Sequence, residues 1–306
     1  MVDGRRGVAL GVTAYVLWGG FPLYWPLLEP AGAVEILAHR IVWSGIVMGA
    51  LVLALGRRGP FLAIVRDRRV RLLLTVAAVT ITCNWATYIY GVNSGRVVET
   101  SLGYFINPLV TVLMGVLVLG ERLRPLQWAA LAVGLTAVLV LTLDYGRPPW
   151  IAIILAFSFG TYGLAKKTAN VGAVESLAFE TAVITPVALG YLVWLAVAGS
   201  ATFAIGGSGG LGHSLLLVST GVVTAVPLIC FGAAATRVSM VTLGLLQYLA
   251  PTIQFVLGLL VFDERMTPAR WVGFVLVWSA LAVFTAEAAR HHRQQLALAA
   301  RAVPAS

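Results

Sequence analysis

Apolar stretches of about twenty residues recur from one end of this 306-residue chain to the other, separated by loops mostly too short to fold. A helix rises about 1.5 Å per residue and therefore needs about 20 apolar residues to cross a bilayer core. Ten segments meet that length approximately: 7–27, 33–56, 70–91, 98–118, 126–143, 148–166, 174–196, 213–233, 241–262 and 269–289. With 59% hydrophobic and 11% charged residues, against about 25% charged in a soluble domain, a soluble enzyme on a single anchor is excluded. So is a disordered or fibrous chain. The expected fold is an all-α polytopic membrane protein with ten transmembrane helices. The first segment ends in WGGFPLYWPLLEP, which lacks the small-residue pattern of a cleaved signal peptide, so it is expected to remain.

Charge sets the orientation. The net charge of +9 would suggest nucleic acid in a soluble protein, but here Lys and Arg lie in short loops, where they act on topology. No nucleic-acid partner is expected. Sixteen basic residues, among them Arg57, Arg58, Arg66, Arg68, Arg69, Lys166 and Lys167, fall on the side of the N-terminus. Four, Arg96, Arg147, Arg265 and Arg270, fall on the other. Both termini are therefore expected in the cytoplasm. Cys83 and Cys230 lie in apolar segments, where each is expected as a small packed residue.

The chain also resembles itself. INPLVTVLMGVLVLGERLRPLQW (106–128) aligns with LAPTIQFVLGLLVFDERMTPARW (249–271) at an offset of 143. Pro108/Pro251, Glu121/Glu264, Arg122/Arg265, Pro125/Pro268 and Trp128/Trp271 coincide, and Glu35-Ile-Leu-Ala lies over Glu175-Ser-Leu-Ala at 140. Two five-helix repeats are expected, 1–143 and 144–290, followed by a disordered cytoplasmic tail over 291–306. An odd number of spans per repeat inverts the second copy, the architecture of many secondary transporters. Pro108 and Pro251 interrupt the fourth helix of each repeat and are candidate kinks or gates.

Ionisable groups inside a span cost roughly 2.5–3.5 kcal/mol each on insertion scales, so each needs a reason. Glu35, His39 and Arg40 crowd the second span; Glu35 and His39, four apart, share a face. One reading makes them a proton-coupling pair, with Arg40 holding an anionic part of a substrate. The other is a structural ion-pair network, with Glu99 or Glu35 as the partner of Arg40. Glu180 is the counterpart of Arg40 in the second repeat, with Lys166 or Lys167 as its nearest cation. Asn84, Trp85, Tyr88, Tyr104, Asn107, Gln247 and Tyr248 are candidate pocket-lining residues, since sites for organic molecules are apolar walls with a few polar groups. Tyr24, Trp25 and Trp150 are expected in the interfacial aromatic belt, and Glu-Arg at 121–122 and 264–265 are expected to end helices. There is no HExxH, no aspartate in a span core and no phosphate loop, so neither an enzyme nor a metal or other cofactor is expected.

The strings EILAHRIVWS (35–44), SLGYFINPLV (101–110), LAFSFGTYGLAKK (155–167) and TAVPLICFGAAATR (224–237), with GER and DER ending the fourth helices, resemble the EamA branch of the drug/metabolite transporter superfamily. Within that branch they resemble the RarD group, whose members are often labelled chloramphenicol-sensitivity proteins. The likeness runs over residues 6–290, with the glycine-rich loop at 206–212 and the tail as departures. It implies a bacterial-type inner-membrane transporter working in the bilayer. The expected function is secondary transport of a small organic metabolite or drug-like molecule by alternating access, with export favoured over import and the Glu35–His39 pair as one route to proton coupling. An uncoupled facilitator or channel, and an intramembrane enzyme, are the alternatives. Substrate, direction of transport, coupling ion, and monomer against homodimer stay open.

Overall fold

The computed structural model describes residues 2–119, 123–203, 210–235, 237 and 246–302, and every described element is helical. The helices are α1 (Val2–Gly19), α2 (Phe21–Tyr24), α3 (Ala33–Ala54), α4 (Arg58–Arg66), α5 (Arg68–Asn93) and α6 (Val97–Leu119). They continue as α7 (Pro125–Tyr145), α8 (Trp150–Ala169), α9 (Ala173–Val197), α10 (Gly210–Ala235), α11 (Leu249–Leu260) and α12 (Pro268–Ala302). Among the described residues seven helices are long and apolar enough to cross a membrane, and an eighth span results if α1 joins the segment Phe21–Leu28 across their 43° bend. Two shorter apolar helices, Trp150–Lys166 and Leu249–Leu260, occupy the remaining apolar segments. The chain is a polytopic membrane protein. Leu117, Leu143, Val187 and Trp194 are among many large apolar side chains left on its outer surface, as a lipid solvent permits.

Local chemistry explains several helix ends. Pro125 and Pro268 open α7 and α12, where a missing N–H costs nothing. Asp67 caps α5 by accepting from the N–H groups of Arg69 and Val70, and Gly146 ends α7 at a positive φ of 64°. Pro108 lies inside a continuous α6, whereas Pro251 sits in the first turn of α11 rather than interrupting it. Pro186 and Pro227, inside α9 and α10, are two further helix-interior prolines.

Two expectations need correction. The segment between the second and third spans is not bare loop: α4 lays Phe61 and Ile64 against Leu74 and Phe179. Cys83 faces outward and Cys230 is half-buried; neither is packed in a core. The connector after α9 buries Thr202, and α12 runs on to Ala302, in keeping with the helix-forming Leu, Ala, Gln and Arg of that stretch. Glu121 and Arg122, the side chain of Lys167, and the start of the ninth apolar segment lie outside the described residues.

The two halves of the chain interpenetrate. α3 packs on α9 and α10, α5 and α6 on α8, α1 on α10 and α11, and α7 on α12. One cluster, around Trp25, Ile36, Tyr88, Ile89, Ile151 and Leu217, joins α3, α5, α8 and α10. A second joins Leu102 and Phe105 of α6 to Leu141, Phe255 and Phe274. Close approach depends on glycine at one crossing above all: a Cβ on Gly221 of α10 would lie 2.6 Å from the carbonyl carbon of Trp43 on α3.

Candidate functional site

α3 and α9 run antiparallel, and each begins with a glutamate held by the segment that follows the other. Glu35, in the first turn of α3, accepts from the N–H of Thr202 at 2.8 Å, just beyond α9. Glu175, in the first turn of α9, pairs at 3.2 Å with Arg57, just beyond α3. These contacts define two ends of the bundle. At the Glu35 end, Thr202 Oγ1 and His213 Nε2 share a hydrogen bond of 2.8 Å. At the Glu175 end lies a cavity of about 380 Å³, lined by Arg57, Pro60, Ile64, Asp67, Val171 and Glu175 among others.

One turn and a half in from each glutamate stands the second charge. Arg40 is 3% exposed and its guanidinium carbon lies 4.0 Å from the Trp85 ring centroid, 5.1 Å from that of Trp25 and 5.7 Å from that of Phe21. Its Nε donates to Thr224 Oγ1 at 3.0 Å. Tyr24, Tyr88 and Tyr104 lie within its electrostatic reach. Among the described residues no carboxylate pairs with it and its two terminal nitrogens make no hydrogen bond. Glu180 takes the opposite course, bonded at 2.8 Å to Lys166, which also donates to Ser176. A void of about 10 Å³ separates Trp85 from Glu180, bounded also by Ile41, Ala78, Ile81 and Thr181.

Apart from Glu180 with Lys166, the pairings formed differ from those expected. Glu99 is not the partner of Arg40; it holds Arg147 at 2.9 Å and accepts from the N–H of Ile151, raising Arg147 above the ordinary arginine range. Glu35 and His39 share a face without bonding: His39 Nδ1 accepts from Trp43 Nε1 at 3.3 Å, its ring lies 4.8 Å from that of Phe203, and its Nε2 is buried with no partner. Asn84 is a strut, donating to Leu155 O and Ser158 Oγ and accepting from Tyr104. Tyr88 meets Tyr104 edge-on at 5.7 Å, and its buried hydroxyl has no partner. Asn107 contacts Thr111 one turn on. Gln247 and Tyr248 stand in the turn before α11, Tyr248 against the second cluster and not against Arg40.

Sequence reasoning missed four contributors. Trp25, expected in the belt, is fully buried beside Arg40. Thr202 and Phe203 come from a connector with no motif to mark them. Thr224, two turns of α10 beyond Leu217, could have been sought only as a hydroxyl inside an apolar run.

Glu264, expected merely to end a helix, caps one instead: its carboxylate accepts from the N–H groups of Val97 and Val98 at the start of α6. Burial pushes its pKa up to about 7, against the opposing pull of those N–H groups and of Arg270; Glu99 adds to the rise. A carboxylic acid raised in the folded state contributes stability that is complete below the ordinary carboxylate range and is lost as pH rises through about 7. Thermal unfolding of the purified protein should therefore show stability falling between about pH 5 and 8, by about 1 kcal/mol after allowing for solvent screening. Glu264→Gln, neutral throughout, should flatten that slope; an unchanged slope would place the titrating group elsewhere.

A family model for the EamA-like transporter family matches residues 5–143. The chain is similar to the protein RarD of Streptomyces exfoliatus, 56% identical over 98% of this chain and 94% of that one. It is likewise similar to an uncharacterized transporter of Pseudomonas aeruginosa, 42% identical over 95% and 96% of the two chains. A solved crystal structure at 22% identity superposes with a TM-score of 0.57 over 90% of this chain and 96% of the other, a likeness of fold.

Proposed function

The chain belongs to the EamA-like transporter family, as a membrane transporter of the drug/metabolite type, and from that premise we propose that it is a secondary transporter of a small organic molecule. Its substrate binds at Arg40 and crosses by alternating access between two inverted five-helix repeats. In this reading all ten apolar segments span the inner membrane, both termini are cytoplasmic, and the Glu35 end faces outward. The observation that carries it is a buried arginine without a carboxylate among the described residues, enclosed by α2, α3, α5 and α10. The reciprocal contacts of Glu35 with Thr202 and Glu175 with Arg57 support the inverted relation, because each is the other turned about one axis.

Proton coupling loses the pair that motivated it, since Glu35 and His39 make no mutual bond. Glu180 remains as a buried carboxylate, neutralised by Lys166. Uniport or exchange therefore fits the geometry better than a Glu35–His39 relay. Single cysteines at Ser200 and at Ala63, both exposed, test the topology in a background lacking Cys83 and Cys230. Only the first should react with an impermeant maleimide outside intact cells, and only the second in inverted vesicles. Labelling of both from one side would sink the assigned orientation.

A further inference from the structure

A cation taken into an apolar interior ordinarily brings its counter-ion, because desolvating a lone charge is costly. Arg40 does not. Ring faces and one hydroxyl hold it, and both kinds of contact strengthen once water is excluded: a desolvated cation sits more firmly on an aromatic face, and a charged donor makes a stronger hydrogen bond than a neutral one. The site therefore tolerates the charge while the guanidinium's terminal N–H groups stay open. Two further groups nearby are buried and unpartnered: Trp25 Nε1, on a ring 5.1 Å from the guanidinium carbon, and the Tyr88 hydroxyl, within its electrostatic reach. An indole N–H can only donate, and guanidinium likewise. What is lacking around Arg40 is an acceptor bearing negative charge.

We infer that Arg40, with Trp25 and Tyr88, is the recognition site for the carboxylate of a small organic monoanion whose apolar body lies against Trp85 and Phe21. This rests on the transport reading and gives it a substrate class. Charge arithmetic selects the monoanion. Lys166 is already neutralised by Glu180, and Glu35, a turn and a half away on α3, is held by the Thr202 N–H, so Arg40 offers a cation without a direct counter-ion among the described residues; a phosphate monoester dianion would leave a buried negative charge uncompensated. A guanidinium fork matches a carboxylate with two parallel hydrogen bonds. A cationic ligand is disfavoured outright.

Benzoate is a suitable probe, with benzamide as its neutral isostere and benzylamine as the cation. On the full chain in nanodiscs, benzoate at about a hundred times its Kd should raise the thermal midpoint by about 5 °C, while benzamide and benzylamine should shift it by less than about 1 °C. Arg40→Met, which keeps the stem and removes the charge, should unfold no earlier than wild type without ligand and should not respond to benzoate. Should that variant fail to fold, Arg40→Lys retains the charge and should show at most half the wild-type shift. No response of the wild type to benzoate or phenylacetate, an equal response to benzamide, or an undiminished response in either variant overturns the inference. Benzoate counterflow in proteoliposomes separates the two readings. Binding without counterflow overturns transport and leaves the anion site; counterflow that persists in Arg40→Met overturns the anion site and leaves transport.

Discussion

Glutamine at Glu180 is expected to destabilise the protein by about 3 kcal/mol, the cost typical of breaking a buried ion pair from one side. The Glu180 side chain is 1% exposed and that of Lys166 23%, so the stranded ammonium cannot fully recover water. Lys166→Met alone should cost a similar amount. The double variant should recover part of either loss, because no charge is then left buried without its partner, the remainder being the cost of a buried amide. A thermal-unfolding cycle over the four proteins measures this. Were the pair an exposed ornament, each single change would cost less than about 1 kcal/mol. A Glu180→Gln protein as stable as wild type would mean that Glu180 is protonated at rest, and so placed to carry a proton.

Valine at Gly221 should be still more damaging. Its Cβ would fall 2.6 Å from the carbonyl carbon and 2.7 Å from the carbonyl oxygen of Trp43, and backbone cannot rotate aside as a side chain does. Overpacking of this kind costs about 1–3 kcal/mol where neighbours can move, and here the whole of α10 must retreat from α3. The same retreat carries Thr224, one turn along α10, away from Arg40 Nε. Loss of benzoate response should thus accompany the fall in stability. Gly190 supplies the control: it is exposed on α9, and a Cβ added there would meet nothing within 4 Å, so Gly190→Ala should be neutral or stabilise by up to about 1 kcal/mol. Equal effects at the two glycines would show that the α3–α10 crossing is looser than described.

The helices themselves are legible in the sequence, because twenty apolar residues between basic loops leave few alternatives. Arg40 stands out there as well, since a charge in such a run is costly wherever its partner lies. The partners are not legible. Spacing along one helix says that Glu35 and His39 share a face, but not that a backbone N–H from beyond the far end of α9 reaches Glu35 first. Glu99 has several cations to choose from along the chain; that it meets Arg147 depends on how α6 abuts α8. Trp25 misleads for a related reason. A tryptophan near a span end belongs to the interface only if the chain runs straight, and the 43° bend after α1 turns that segment inward. The α4 helix is hidden because nine residues with three arginines in and beside them read as a topological signal rather than as a packed element.

The interleaving of the halves has a consequence for biogenesis. A chain synthesised from its N-terminus delivers α3, α5 and α6 to the lipid before α8, α9 and α10 exist to cover them. During that interval Arg40 lacks Thr224, Glu35 lacks the Thr202 amide, and the α6 N-terminus lacks Glu264. The nascent first half is thus an open template that the second half completes. Truncation after α7 leaves no miniature of the protein: α3 loses α9 and α10, α5 and α6 lose α8, and α7 loses α12.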